Sequence, residues 1–285
     1  MINTTKSYDK DNGIQSLVMG VSGGLDSATV AAILQEYNTT VPLIGLSMPM
    51  SSSNEHKERA QWVGENYCTA FEEFVGWEGA VVDPDAITYR DFHDILSQTD
   101  SVARRAGCSV VADEVRQGNM KARLRMITLY DLARKTNGMV LSTDNLSEYM
   151  AGFWTICGDV GDWGIIQNVW KGFELPQIAR HIGVREDIIT QKPSDGLSVT
   201  EHDTDEAQLG VTYQEFDTII GIYTNRIETD PVMRENLRIR LQIIIDNPDN
   251  PDNEKVVGAI ARYEGTEFKR QGTYNLPRAM LFDWA

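Results

Sequence analysis

Short apolar runs alternate with longer segments in which apolar residues recur at helical spacing, and the two periods take turns along the chain. Residues 15–21, "QSLVMGV", form a short apolar run that ends at a glycine-rich turn, the pattern of a parallel strand buried on both faces. After residues 22–27 comes "SATVAAILQEYN", in which Ala28, Ala31, Ala32 and Leu34 suit a buried helix face. Residues 41–47 predict a second strand and residues 55–67 a charged surface helix. Strand, turn, helix, strand, helix is how a doubly wound α/β sheet begins.

Further along, residues 86–96 predict a helix started by Asp83-Pro84-Asp85. The strongest helix signal is residues 119–135, where Met120, Leu124, Ile127 and Leu132 are interleaved with Lys121, Arg123, Arg125 and Arg134. Gly138 is expected to end it, and residues 139–142 to form the next strand. Leu175–His181 reads as a short helix closed by Gly183. Residues 213–222, 232–245 and 256–263 read as helices near the C-terminal end, with the turn-rich "DNPDNPDNEK" between the last two. Without a long linker or a solenoid-length repeat, residues 1–285 are expected to form one domain. The expected fold class is α/β, a doubly wound, mostly parallel sheet flanked by helices.

Composition narrows the partners. Lys and Arg number 26 against 42 Asp and Glu, a formal charge of −16. Such a chain repels polyanions, so neither nucleic acid nor an anionic membrane surface is an expected partner. Cys68, Cys108 and Cys157 form no paired motif, which predicts buried or half-buried thiols in a reducing compartment. The polar N-terminus lacks the apolar core of a signal peptide, and no apolar run approaches the roughly 20 residues of a membrane span. A cytoplasmic location is expected. His56, His93, His181 and His202 show no metal-ligand spacing and read as surface or local hydrogen-bonding residues.

The sharpest local chemistry is Ser22-Gly23-Gly24-Leu25-Asp26-Ser27, between a predicted strand and a predicted helix. Paired glycines let the backbone turn tightly and present successive N–H groups to one anion, and the helix N-terminus adds partial positive charge. Asp26 repels a bare phosphate, and a divalent metal bridging the two resolves the conflict. No GKS or GKT follows, so the loop is not a Walker A motif. The competing local reading is a Gly-Gly turn with Asp26 and Ser27 as helix caps.

"SGGLDS" after a strand resembles the PP-loop of the ATP pyrophosphatase superfamily, whose members cleave ATP between the α- and β-phosphates. Three later segments are similar to those of NAD synthetases within it. These are "GNMKARLRMITLYDLA" (118–133), "STDNLSEYMAGFWTICGDVGD" (142–162), and "KPSDGL" (192–197) followed by "DEAQLGVTYQEFD" (205–217). A weaker echo is "EFKR" (267–270). The resemblance runs in order from about residue 16 to residue 217.

It implies an adenine nucleotide alpha hydrolase-like, Rossmann-like fold. The implied activity is ATP-dependent amidation of nicotinic acid adenine dinucleotide (deamido-NAD) with ammonia to NAD, through an adenylated carboxylate, with release of AMP and pyrophosphate. It implies ATP as co-substrate, Mg²⁺ as cofactor and a homodimer. Gly20, Val21, Ser22, Gly23, Gly24, Leu25, Asp26 and Ser27 are implied to bind ATP phosphates, together with Thr143, Lys171 and Ser194. Asp26 and Glu148 are implied to hold Mg²⁺ and, with Lys171, to carry catalysis. Arg123, Asp162 and Lys269 are implied to bind the dinucleotide. Taken singly, Glu148 reads equally as part of a capping arrangement, and Lys171 and Lys269 as surface lysines. Trp154, Trp163 and Trp170 read as core residues, with Trp154 the candidate for stacking on a ring of the substrate.

The match departs from the pattern at Ile156, where the family usually has lysine, at Cys157, where it has an aromatic residue, and at Phe268, where it has histidine. About 20 residues precede the loop where the family usually carries a further helix. The first and last of the substitutions remove contacts to an anionic substrate, which keeps amidation of nicotinic acid mononucleotide as the alternative. A tRNA-thiolating enzyme would predict catalytic cysteines and a basic face, and a non-catalytic nucleotide-binding module would predict loss of Asp26 or Glu148. The length leaves no room for a fused glutaminase domain beside the match, so free ammonia is the expected nitrogen donor.

Overall fold

The computed structural model describes residues 13–36, 41–49, 53–73, 105–106, 113–193, 204–227 and 229–272. Its centre is a parallel sheet of strands β1 (Ser16–Gly20), β2 (Leu43–Ser47), β3 (Ala70–Glu73), β4 (Gly138–Ser142) and β5 (Trp163–Gly164), in the order β3-β2-β1-β4-β5. The register pairs Leu17 with Leu43 on one side and with Met139 on the other. Leu17, Val18 and Met19 are wholly buried because β1 is covered on both faces. Leu17 and Met19 pack with Ala28, Ala31 and Ala32 of helix α1 (Leu25–Glu36). Val18 packs with Leu46, Met126, Leu129 and Ala133, the last three from helix α3 (Asp113–Lys135). The doubly wound expectation is therefore met, and the unbroken apolar run in β1 is what two covered faces require.

The chain winds outward from β1 through helix α2 (Asn54–Tyr67) to β3, then returns to place β4 on the other side of β1. That reversal opens a crevice beyond the C-terminal ends of β1 and β4, where open α/β sheets hold ligands. Two segments enter it. One is the glycine loop leaving Gly20. The other is Thr143-Asp144-Asn145, which leads into helix α4 (Leu146–Ala151).

Helix α5 (Leu175–His181) packs on α1 and is followed by a turn at Gly183, as expected, and by the four-residue helix α6 (Glu186–Ile189). Helix α7 (Asp205–Leu209) precedes α8 (Tyr213–Tyr223). With α9 (Pro231–Ile245) and α10 (Asn253–Gly265), α8 builds a second core, and the short helix α11 (Glu267–Arg270) follows α10. There Phe216 and Ile220 pack with Met150, Trp170, Leu241 and Val256. This helical unit presses α8 onto the segment after Trp170. A Cβ on Gly172 would lie 2.6 Å from the Gln214 nitrogen, so only glycine permits the approach.

Several boundaries move. Helix α1 starts at Leu25, which puts Asp26 inside its first turn rather than in the loop. There a carboxylate is favoured by the helix dipole. Helix α3 starts at Asp113 and runs through Gly118, six residues before the start expected at 119. Gly138 does not end that helix. Asn137 makes the turn at φ 49°, and Gly138 opens β4. Strands β3 and β5 and helices α4, α6 and α7 were not expected, because elements of two to six residues display no period. Of the thiols, Cys68 is half-buried as expected, but Cys157 is exposed. The helix expected over 86–96, Ser194, Cys108, His93 and His202 lie outside the described residues. Among the described residues no helix is long and apolar enough to cross a membrane.

Candidate active site

The glycine loop is locked by its own serines. Ser22 Oγ and Ser27 Oγ lie 3.1 Å apart, Ser27 Oγ donates to the Gly24 carbonyl at 3.2 Å, and the Gly24 N–H donates to Ser22 Oγ at 3.2 Å. Gln191 Nε2 donates to the Gly23 carbonyl at 3.1 Å and ties the loop to the chain beyond α6. Gly23 sits at φ 77°, and a Cβ there would meet the His56 carbonyl oxygen at 2.4 Å and the Ala60 nitrogen at 2.8 Å. Both are backbone atoms of α2 and cannot swing aside. Gly23→Ala is therefore expected to displace the loop, at a cost of about 1–3 kcal/mol. Its measurable result is a raised KM for ATP together with a lowered Tm, and an unchanged pair would count against this geometry.

Across the crevice, Asn145 caps α4. Its Oδ1 accepts the Glu148 N–H at 3.0 Å, and Glu148 Oε2 accepts the Asn145 N–H at 3.4 Å, a reciprocal capping box. The same Asn145 donates from Nδ2 to Asp26 Oδ1 at 2.7 Å, joining the two segments that flank the crevice. Glu148 thus fills the capping role and, with its other oxygen, a second one. Its Oε1 lies 2.7 Å from Lys171 Nζ.

Lys171 is the centre of the site. Only 8 % of it is exposed, which overturns its reading as a surface lysine. Its Nζ is also 3.1 Å from Asp26 Oδ2 and 3.7 Å from Asp205 Oδ2, and stands 4.7 Å from the centroid of the Tyr213 ring. Tyr213 donates its hydroxyl to Asp205 Oδ2 at 3.1 Å. The backbone is pinned as firmly. Lys171 N donates to Ser147 Oγ at 2.8 Å, and Gly172 N to Asp217 Oδ2 at 2.7 Å. Burial pushes the Glu148 carboxyl up, an effect the Lys171 ammonium opposes. Burial by itself would lower Lys171, but the surrounding Asp26 and Glu148 hold it charged, well above its ordinary value. Burial raises Asp144 to about 6, although the Ser142 hydroxyl donates to it at 2.8 Å.

These groups open into a cleft of about 1050 Å³. Of the expected residues, Gly20, Val21, Ser22, Gly24, Leu25, Asp26, Ser27, Thr143, Glu148, Lys171 and Lys269 line it. Gly23 lies behind the loop. Arg123 and Asp162 do not line the cleft. Arg123 Nε donates to the Ile156 carbonyl at 3.3 Å, and Asp162 accepts from Tyr130 Oη at 2.8 Å and from Val140 N at 3.1 Å. Lys269 Nζ donates to the carbonyls of Gly152 and Trp154 at 2.7 and 2.6 Å. Trp154 does line the cleft, stacked on Tyr149 at 5.7 Å between centroids, whereas Trp170 is core. His56 also lines the cleft, and burial lowers its pKa.

Residues the sequence reading missed are Asn145, Asp144, Asp205, Tyr213 and Gln191. Asn145 and Glu148, at N-cap and N3 spacing, were a readable signal for the start of α4.

Asp26 and Glu148, two oxygen-donor carboxylates beside the glycine loop, fit the donor set of Mg²⁺, which takes one or two protein carboxylates and completes its shell with other oxygens and water. No group of three or more His, Cys, Asp or Glu side chains among the described residues forms a self-sufficient cage.

The family model for NAD synthase matches residues 1–271. The NH(3)-dependent NAD(+) synthetase of Methanosarcina acetivorans is 31% identical over 230 residues, 78% of this chain and 80% of that protein. That of Pyrococcus furiosus is 34% identical over 214 residues, 75% of this chain and 74% of that protein. Among solved structures, NMN synthetase from Francisella tularensis shares the fold at a TM-score of 0.70, with 22% identity over 97% of this chain and 95% of that one. The NH3-dependent NAD synthetase of Campylobacter jejuni does so at 0.66, with 22% identity over 97% and 96%. Ordered motifs, sheet topology and sequence identity agree, and this chain belongs to the NAD synthase family.

Proposed function

We infer that the protein amidates deamido-NAD with ammonia, consuming ATP and releasing AMP, pyrophosphate and NAD. The observation that carries this reading is Lys171 held between Asp26 and Glu148 at the mouth of the glycine loop, in a chain of this family. A carboxylate is a poor electrophile. Its oxygen attacks the α-phosphorus of ATP, the bond to the bridging oxygen breaks, and pyrophosphate leaves with the electron pair. Ammonia then attacks the acyl carbon, AMP leaves, and one proton of the nitrogen is lost to solvent.

In this reading residues 20–27 and Thr143 hold the triphosphate, with Ser194 beyond the described residues. The Lys171 ammonium, fixed by Ser147 and Asp217 through the backbone, neutralises charge that builds on the leaving pyrophosphate without reorganising. Asp26 and Glu148 would hold Mg²⁺, which supplies Lewis-acid stabilisation of the phosphate oxygens. Lys269, between the Trp154 ring and the cleft, takes the dinucleotide. Arg123 and Asp162 stand away from the cleft wall and are assigned to the far part of that substrate.

A homodimer belongs to this reading too, since α3 exposes Ile127 at 61 % and Tyr130 at 41 %, apolar area that a second copy would cover. Single-domain organisation, ammonia as nitrogen donor and a cytoplasmic setting complete the reading. The relatives above carry the ammonia-dependent name, and this chain covers about three-quarters to four-fifths of their length.

The test is to incubate the protein with ATP, Mg²⁺, ammonium and either deamido-NAD or nicotinic acid mononucleotide, and to measure AMP with the amide product. Equal yields of AMP and NAD, faster with the dinucleotide, are expected. Absence of both products rejects the reading, and faster amidation of the mononucleotide replaces it with the alternative.

A further inference from the structure

The cleft wall holds more positive charge than the reaction centre uses. Arg262, on α10, and Lys269 both line it. They stand near enough that the Arg262 charge adds to burial in pushing the Lys269 ammonium below its ordinary value, and the smaller opposing influence of Asp159 does not cancel it. Two cations drawn together in a half-buried wall repel each other unless an anion joins them. Lys269 is already committed to two backbone carbonyls.

Arg262 is committed far less. Its Nε donates to the Ala151 carbonyl at 3.1 Å, and its guanidinium lies 5.3 Å from the centroid of the Phe153 ring. Among the described residues no carboxylate forms an ion pair with it and its terminal nitrogens make no hydrogen bond. Burial lowers its pKa, and the one group that opposes this is Tyr213, the ring over which Lys171 stands. Arg262 is thus a pre-oriented guanidinium on the wall of the cleft that also holds the carboxylate–lysine centre. Its planar fork matches the two oxygens of a carboxylate or a phosphate, and the Ala151 bond and the Phe153 ring have already restricted its rotamers.

We propose that Arg262 is a specificity-determining residue of the cleft, whose terminal nitrogens bind an anionic oxygen group, carboxylate or phosphate, of the acid dinucleotide. The proposal rests on the amidation reading above, and its test separates the two. Steady-state kinetics and calorimetric binding are measured on the full chain as wild type, Arg262→Met and Arg262→Lys. Methionine keeps an apolar stem against Phe153 and removes the charge. Lysine keeps the charge and loses the fork.

The expected result for Arg262→Met is a KM and a Kd for deamido-NAD raised about tenfold or more, as befits loss of a charge-assisted contact. The KM for ATP should stay within about twofold, and Arg262→Lys should recover part of the loss. A purely structural role would move the ATP and dinucleotide constants together and would lower Tm. That outcome, or an unchanged Kd for deamido-NAD, overturns the proposal.

Binding of NAD, which lacks the carboxylate, identifies the group. Equal weakening of NAD and deamido-NAD assigns the contact to phosphate, and weakening of deamido-NAD alone assigns it to the carboxylate. Wild-type protein that binds deamido-NAD without turning it over rejects the amidation reading and leaves the Arg262 claim to the binding data. Wild-type protein that does not bind deamido-NAD rejects both.

Discussion

Asp26→Asn is expected to lower ATP-dependent turnover roughly 10³-fold while leaving the fold intact. The side chain has two committed oxygens. Oδ1 accepts from Asn145 Nδ2, and Oδ2 faces Lys171 Nζ. An amide oxygen can keep the first contact, so the link between the glycine loop and α4 survives. The amide NH₂ must then face the ammonium, donor against donor, and one negative charge is gone from the centre. Lys171 retains Glu148 and Asp205 as counter-charges, so Tm should move by only a few degrees. The proposed metal site loses one of its two carboxylates, which is where the activity goes. Formation of AMP and NAD, assayed beside thermal melting, decides the matter. Full ATP-to-AMP turnover in this variant would remove Asp26 from the metal site.

Lys171→Met should produce the largest loss of stability of any single change in the cleft. It leaves Asp26, Glu148 and Asp205 around an apolar group, and breaking a buried ion pair from one side costs about 3–5 kcal/mol. For a chain of this size that corresponds to a fall in Tm on the order of 10 °C. The pH dependence has a definite sign. Burial already raises the Glu148 carboxyl above its ordinary value, and without the opposing ammonium it rises further, so the folded variant binds that proton more tightly than the unfolded chain does. This contribution to stability is retained at low pH and lost as pH rises through the raised value. The deficit relative to wild type should be larger at pH 8 than at pH 5. Added Mg²⁺ should recover more Tm in the variant than in wild type, because the cation takes the place of a missing positive charge. A deficit independent of both pH and Mg²⁺ would mean that Lys171 acts through packing alone.

How much of this was readable varied by residue. The glycine loop was legible because its chemistry is local: two adjacent glycines and flanking serines between a strand and a helix make the same hydrogen bonds in any parallel sheet. The helices of ten residues or more were legible within a few positions, since they show a full apolar face. Lys171 was not. In the sequence it is one lysine after Trp170, and its burial depends on α4, α7 and α8 closing around it. Glu148 was read as either cap or metal ligand; in the fold one of its oxygens closes the capping box and the other faces Lys171, and the metal role stays a proposal. Asp205 and Tyr213 lay inside a matched segment, yet nothing in their spacing pointed to a lysine some 40 positions earlier. Arg123 and Asp162 went the other way. Chosen by motif, they are held by the Ile156 carbonyl and by Tyr130 and Val140, away from the cleft wall.

The sequence by itself determined the order of the longer strands and helices, the glycine loop at 20–27 and the family, because each depends on residues near in the chain or on motifs in a fixed order. Only the tertiary structure decided that β4 returns beside β1 and so brings Asn145 and Glu148 to Asp26. Only it decided that Lys171 is a buried counter-ion and that Arg262 joins the cleft. The physical reason is that charge acts through space. A carboxylate's partner is set by whichever cation the packed layers bring within a few ångströms of it, and the cost of burial then makes that partner obligatory.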